Sequence, residues 1–534
     1  MRSLRASVTA AAACAALLAL LVALAGCVEE GEQPSEGFTP APGTPGPPAS
    51  TIDLAATAPD LTVLGGEADD YLADRFSLTQ GDFNGDGIDD ILVGAPKADG
   101  PDNNRNNAGE AYVIFGSPEV GGTVDIAEGQ HDFTVIGTSQ GDNLGFVVAS
   151  GDVNGDDIDD ILVGARFASG PDGDRIYAGE AYVVLGSPDL SGTVDTALDE
   201  QDFTILGAMG SDYLGYALTA GDVNGDGVDD IIVAAPGADG PSGDRSNAGE
   251  IYVAFGSPTI SGSVDTALGQ QDFTIVGAQA EGFLANFAAS GDVNGDGIDD
   301  ILVGTHMADG PDGQRADGGV AYVVFGSPDL EGAFDLASDE GALTIWGADT
   351  NDWSGFVLTA GDVNGDDTDD ILVGARNADG PDNSRPNCGE VYVIFGSAEL
   401  AGSIDIADEE QDATLIGSDL NGLLGHSLAS GDVNGDGIDD VLAGAPTANS
   451  RAKAGKVLVF LGSAQWSATV DAALGRHRMA VLGSEPDDEL GFSVASGDIN
   501  GDGIDDIIGG ALLADGPDNA RPDGGETYVI LSAP

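Results

Sequence analysis

At 534 residues with 42% hydrophobic side chains, the chain has material for several packed domains or one large repeat array. Its formal net charge of −75 sets it against bare nucleic acid, whose phosphates it would repel. Of three cysteines only Cys388 falls in the folded body, which excludes a disulfide framework, and 83 glycines with 6% aromatics suit short strands and tight turns rather than long helices.

Residues 1–27 read as an export signal. Arg2 and Arg5 supply its positive end, and Ala10 to Ala23 is an almost continuous Ala/Leu run, too short and Ala-rich for a stable membrane span. Cys14 lies within this leader and Cys27 at its end. The ending Leu24-Ala25-Gly26-Cys27 resembles the bacterial lipobox. The resemblance implies cleavage before Cys27, lipid attachment to it, and a place in the bacterial envelope at a membrane surface, held by acyl chains without a spanning helix. A plain secretory signal containing a cysteine is the alternative. Residues 28–58 follow as a tether, with Pro34, Pro40, Pro42, Pro45, Pro47 and Pro48 among Gly, Ser, Thr and Glu. Such a stretch cannot bury a core and is expected to be extended and mobile, lifting the body off the membrane.

The body, residues 59–534, repeats. A Gly-Asp pair recurs at Gly81, Gly151, Gly221, Gly291, Gly361, Gly431 and Gly497, spaced by 70 residues five times and then 66. Each period holds four strand-like runs, in the first Arg75–Thr79, Asp90–Gly94, Ala111–Phe115 and Asp132–Ile136, bounded by Gly, Pro, Asp or Asn. Seven such periods predict an all-β, seven-bladed β-propeller of four-stranded blades. A linear solenoid would need atypical polar caps, and neither end repeat is atypical. The opening run Leu61-Thr62-Val63-Leu64 nearly copies Phe133–Ile136, and the seventh period lacks only its fourth run. The opening run is therefore expected to complete the last blade and close the ring.

After each Gly comes a nine-residue loop, first read at Asp82–Asp90, with oxygen-bearing side chains at positions 1, 3, 5 and 9. Alternate oxygens in a tight loop can face one hard cation, with glycine at position 6 for the turn and a backbone carbonyl from position 7. One copy would also pass as an ordinary hairpin turn, but a turn needs no fixed carboxylate set, and there are seven copies. The expected calcium ligands are Asp82, Asn84, Asp86, the Ile88 carbonyl and Asp90; Asp152, Asn154, Asp156, Ile158 and Asp160; Asp222, Asn224, Asp226, Val228 and Asp230; and Asp292, Asn294, Asp296, Ile298 and Asp300. The remaining loops offer Asp362, Asn364, Asp366, Thr368 and Asp370; Asp432, Asn434, Asp436, Ile438 and Asp440; and Asp498, Asn500, Asp502, Ile504 and Asp506. Asp157 and Asp367 replace glycine at position 6, where Asp tolerates positive φ less well, so those loops are expected to bind more weakly. Asp89, at position 8, is expected to point outward or cap its loop. Up to seven Ca2+ ions would be structural, since so full a donor set leaves little room for substrate.

A second recurrent loop carries Arg105, Arg175, Arg245, Arg315, Arg385, Arg451 and Arg521, seven of only 17 basic residues. One Arg–carboxylate pair within each blade is the favoured reading, a ring of guanidiniums for an anion the alternative. The sixth copy is four residues shorter and has Lys456 where most copies have Glu, which makes it a candidate asymmetric patch or a mere deletion. Cys388 stands where other repeats have Ala or Gly and reads as a small buried residue. His131, His306, His426 and His477 share no metal-ligand spacing, and His426 takes the place of Phe146 in its repeat.

The pieces Leu144-Gly145-Phe146, Asp152–Asp160 and Gly94-Ala95-Pro96 recur in order and resemble FG-GAP repeats of the integrin α-subunit propeller, across about residues 60–534. The resemblance implies a seven-bladed propeller with calcium in hairpin loops between the first two strands of blades. Nothing resembles an inserted ligand-binding domain or leg domains. With no Gly-x-Ser-x-Gly elbow or phosphate loop, catalysis has little support. The expected function is non-catalytic binding or adhesion to a protein or glycan on a surface. A hydrolase or lyase acting on polysaccharide or lipid and an architectural envelope component are the alternatives.

Overall fold

The computed structural model describes residues 49–533 apart from 172, 241, 242, 244, 339, 340 and 449–451. Cys27, expected to carry a lipid, the expected export signal and most of the expected tether lie outside the described residues. Among the described residues no helix is long and apolar enough to cross a membrane.

Asp90–Ala95 is buried along its whole length. A continuous Ile-Leu-Val run belongs to a strand covered on both faces. One neighbour supplies such cover: Leu92, Val113 and Val135 cluster with Ile161, Val163 and Tyr182 of the next repeat. Approach is close enough that a Cβ on Gly94 would stand 2.1 Å from the Gly145 carbonyl oxygen. Stacking of this kind, repeated around a ring, gives the seven sheets of a seven-bladed β-propeller.

The first blade runs Leu78–Gly81, Asp90–Ala95, Glu110–Ile114 and Phe133–Ile136, all antiparallel. Its first strand begins three residues later than expected. Every sheet then adds a fifth strand that the four-run reading missed. On the first blade it is Gly192–Asp195, parallel to Phe133–Ile136 and donated by the following repeat. Gly262–Asp265, Gly332–Asp335, Ser403–Asp405 and Thr469–Asp471 do the same for blades two to five. On the sixth blade the strand is Ser50–Asp53, parallel to Met479–Leu482. The end of the expected tether is thus part of the folded body.

Closure follows the expectation. Leu61–Leu64 pairs antiparallel with Glu526–Ile530 as the fourth strand of blade seven, and Gly122–Asp125 adds the fifth. First strands of successive blades touch one another and surround the axis. Antiparallel pairing places every nine-residue loop at one end of the propeller. The start of each first strand, the second-to-third connection and the crossing to the next blade all lie at the other end.

Candidate functional site

In the first acidic loop the Asp82 carboxylate accepts the Asp86 and Gly87 N–H groups at 3.0 and 2.7 Å. Asp86 accepts the Ile88 N–H at 3.1 Å. Asp90 is fully buried, accepts the Phe83 and Gly116 N–H groups at 3.1 and 2.8 Å, and meets Asn84 Nδ2 at 3.1 Å. Burial, reinforced by the charges of Asp82 and Asp86, pushes the Asp90 carboxyl up to about 8. Burial likewise raises Asp160, Asp230, Asp300, Asp370 and Asp440 to about 7 and Asp506 to about 6. Asp157 and Asp367 take the left-handed conformation with φ of 66° and 68°. Their N–H groups reach Asp152 and Asp362 at 2.8 Å, so both loops keep the shape of the glycine loops.

The donor chemistry fits a hard cation: hard oxygens in tight loops, a buried carboxylate facing two others, and at Asp370 a buried Oδ2 with no hydrogen-bond partner among the described residues. The arrangement is that of a hydrogen-bonded turn. Among the described residues no three acids, histidines or cysteines stand in metal-holding geometry. In each loop the position-1 carboxylate is taken up by backbone N–H groups.

The loops are joined to one another in a way the spacing did not reveal. Asp159, at position 8, accepts the Asp82 N–H at 2.9 Å and returns its own N–H to the Asp82 carbonyl at 3.2 Å. Asp229 accepts from Asp152, Asp299 from Asp222, Asp369 from Asp292, Asp505 from Asp432, and Asp89 from Asp498 across the closure. Asp89 therefore caps a neighbouring loop, neither pointing outward nor capping its own. Position 7 also reaches across: a Cβ on Gly85 would lie 2.8 Å from Ile158 Cδ1, and Gly501 packs the same way under Ile88. Thr368 covers Gly295 with a smaller, more polar surface, so this substitution matters for packing even where a backbone ligand would not notice it.

The recurrent arginines form pairs, but not within one repeat. Arg105 grips Asp195 through two hydrogen bonds of 2.6 and 2.5 Å and donates to the Gly137 carbonyl at 2.8 Å. Asp195 ends the fifth strand supplied by the next repeat. Arg175–Asp265, Arg245–Asp335, Arg315–Asp405 and Arg385–Asp471 repeat the contact, and Arg521–Asp125 crosses the closure. Arg451 lies outside the described residues. The guanidiniums hold Asp125, Asp195, Asp265, Asp335 and Asp405 below the usual carboxylate range. These arginines are staples between repeats and form no anion-binding ring.

Lys456 is buried, and its ammonium donates to Ser418 Oγ at 2.6 Å and pairs with Asp419, so it contributes no exposed patch. Cys388 is buried and its thiol is pushed up to about 12 by burial, as suits a small packed residue. His306 and His426 both lean on the Phe356 ring, at centroid distances of 5.3 and 5.4 Å, although nothing in their spacing joined them.

The FG-GAP repeat pattern matches residues 76–114, 214–254, 285–324, 354–394, 424–460 and 490–530. The phosphatidylinositol-glycan-specific phospholipase D of Homo sapiens is 30% identical over 389 residues, covering 69% of this chain and 43% of that protein. Integrin alpha-PS2 of Drosophila melanogaster is 30% identical over 247 residues, covering 45% of this chain and 16% of that protein. A crystal structure of BBS1N in complex with ARL6DN covers 88% of this chain at 10% identity and a TM-score of 0.42. The chain spans less than half the length of the curated relatives it matches.

Proposed function

The chain is an FG-GAP repeat protein with an integrin-α-like propeller, and from that premise we propose that it is a calcium-binding, lipid-anchored surface protein whose task is non-catalytic binding or adhesion. The observation that carries this reading is the likeness to integrin α-subunits across a repeating framework. In it, acidic loops, Arg–Asp staples and added strands recur blade after blade. Residues spent on the framework in every blade leave the non-repeating positions to recognise a partner.

Calcium enters through the acidic loops. Asp82, Asn84, Asp86, the Ile88 carbonyl and Asp90, with their six counterparts, would hold the ions. The ions would neutralise buried carboxylates that repel one another when unpaired. Cys27 would carry the lipid and fix the propeller to an envelope surface.

A second reading is a lipid hydrolase, favoured by the phospholipase D relatives. The test uses the full purified chain on an array of glycans and surface proteins, with calcium and after chelation, beside an assay for release of a phosphatidylinositol-glycan. Saturable binding lost on chelation, with no release, is the expected result. Turnover of the glycolipid would replace the binder with the enzyme.

A further inference from the structure

The end of the propeller opposite the acidic loops breaks the repeat. Arg75 lies at the start of the first blade, and Arg166 and Arg376 directly follow the second strands of blades two and five. The corresponding positions elsewhere include Pro96, Pro236 and Pro446. The three guanidiniums converge on one floor of aromatic rings. Arg75 and Arg376 both lie over Phe356, 4.8 and 3.8 Å from its centroid. Arg166 sits 3.3 Å over Phe146, and Phe146 meets Phe76, the ring beside Arg75, at 6.2 Å. Phe76 also touches Phe287 of the fourth blade at 5.2 Å, so the floor crosses the axis.

Arginine in this chain pairs readily with carboxylate, as six bidentate staples show. Among the described residues, no guanidinium nitrogen of Arg75, Arg166 or Arg376 has a carboxylate oxygen within 4.0 Å. Their Nε atoms are buried and have no hydrogen-bond partner among the described residues. Asp74 is the nearby acid; it accepts the Arg75 N–H at 2.7 Å and offsets part of the charge of Arg75 and Arg166. Three positive groups against one negative leave a net positive site on a chain of charge −75. Burial first, and then the charge of Arg75, holds Arg376 down to about 9. His306 is held down to about 3 by burial and by Arg376 and Arg75, and His426 is lowered by the same causes. Both imidazoles are neutral. Arg376 Nη1 stands 3.1 Å from His426 Nδ1. Guanidinium can only donate, so Nδ1 accepts and the proton sits on Nε2, which has no partner among the described residues.

A guanidinium stacked on a ring engages its face and keeps its edge N–H groups for an acceptor. We propose that this axial end binds a small ligand bearing one oxyanion, a carboxylate or a phosphate monoester, gripped by Arg75, Arg166 and Arg376. An extended polyanion is disfavoured by the charge of the whole chain. Next to the grip, Arg166 also lies 4.6 Å from Phe167, which packs on Tyr177 and Tyr213. Tyr177 is 46% exposed, and Ile176 and Met209 beside it are 60% and 65% exposed. This ledge suits the uncharged body of the ligand, such as a sugar ring.

The inference rests on the binder reading and gives it a place and a ligand class. It is tested by calorimetric titration of the full chain in saturating calcium with glucuronate and with glucose 6-phosphate, against glucose. One or both anions should bind saturably at one per chain, with glucose at least tenfold weaker; the two anions separate a carboxylate from a phosphate preference. The double variant Arg166→Gln, Arg376→Gln should lose at least tenfold in affinity, and Arg105→Gln, a distant staple, should lose none. Because the double variant could fail to fold, Arg376→Lys is measured too: it keeps the charge without the planar fork and should bind more weakly than wild type. Absence of saturable anion binding by the wild type, or unchanged affinity in folded variants, overturns the site. A surface-ligand screen that stays positive in the double variant would remove the axial site and leave the binder reading standing.

Discussion

Asp142 shows how single carboxylates tune this fold. It is 6% exposed and accepts the Ser139 N–H at 2.8 Å. Burial, with Glu180 nearby, pushes it up to about 7, and Asp352 is raised to the same value. An unfolded carboxylate titrates near about 4, so the folded state binds the extra proton between those values. The stability each such group contributes is complete below the unfolded value and is lost as pH rises through the folded one. In saturating calcium the melting temperature should fall between pH 5 and pH 8, and Asp142→Asn, which keeps an acceptor but does not titrate, should flatten that fall; an equal slope in the variant would refute the assignment. Asp195→Ala should cost about 1–2 kcal/mol in urea unfolding by freeing the Arg105 fork. The double variant with Arg105→Gln should cost little more than either single change. Labelled fatty acid should enter the wild type and not Cys27→Ala; equal labelling would refute lipidation at that residue. At this scale the sequence showed which residues recur but not whom they meet. Arg105 was recognisable as a pairing residue, whereas Asp195 lies 90 residues away and meets it only once the added strand docks. Asp89 and the glycine at Gly85 looked like parts of one loop because their partners belong to the adjacent blade.

The second, third and fourth strands were legible as short apolar runs between turn residues, and the first, such as Leu78–Gly81, by its place just before the acidic loop. The fifth was not. Gly122–Asp125 is four residues long with exposed and half-buried side chains, and its partner is a parallel strand in the preceding sheet. Nothing local signals such pairing, though a Gly-Thr-Val-Asp or similar tetrad in successive periods was a cue. Ser50–Asp53 escaped for a further reason: it follows a proline-rich stretch and opens with a serine where the tetrad has glycine. Removing residues 28–53 should expose the Met479–Leu482 edge and lower stability by roughly 1–3 kcal/mol, from four lost ladder residues, read as a shifted urea midpoint with the ring intact. Removing residues 28–64 takes away the closing strand itself. That variant should lose cooperative unfolding and aggregate on size-exclusion chromatography, and a monomer of wild-type stability would contradict ring closure through Leu61–Leu64.

At the scale of the whole molecule the two ends differ in chemistry. One carries seven acidic loops linked in a ring by position-8 aspartates; the other carries three guanidiniums, two neutral histidines and an aromatic floor. The acidic end was readable from the sequence because repetition amplifies a motif. The axial end was hidden because its members are the positions where repetition fails, and only the closed ring brings Arg75, Arg166 and Arg376 together. Ions that bind the folded loops and not the unfolded chain stabilise by mass action, more as calcium rises above each site's dissociation constant. The decisive measurement is scanning calorimetry of the purified full chain across a calcium titration, with bound metal counted by atomic emission. The expected result is a melting temperature that climbs with calcium and levels off as bound calcium approaches seven ions per chain; an unchanged melting curve in excess chelator would contradict the assignment of the acidic loops as calcium fasteners.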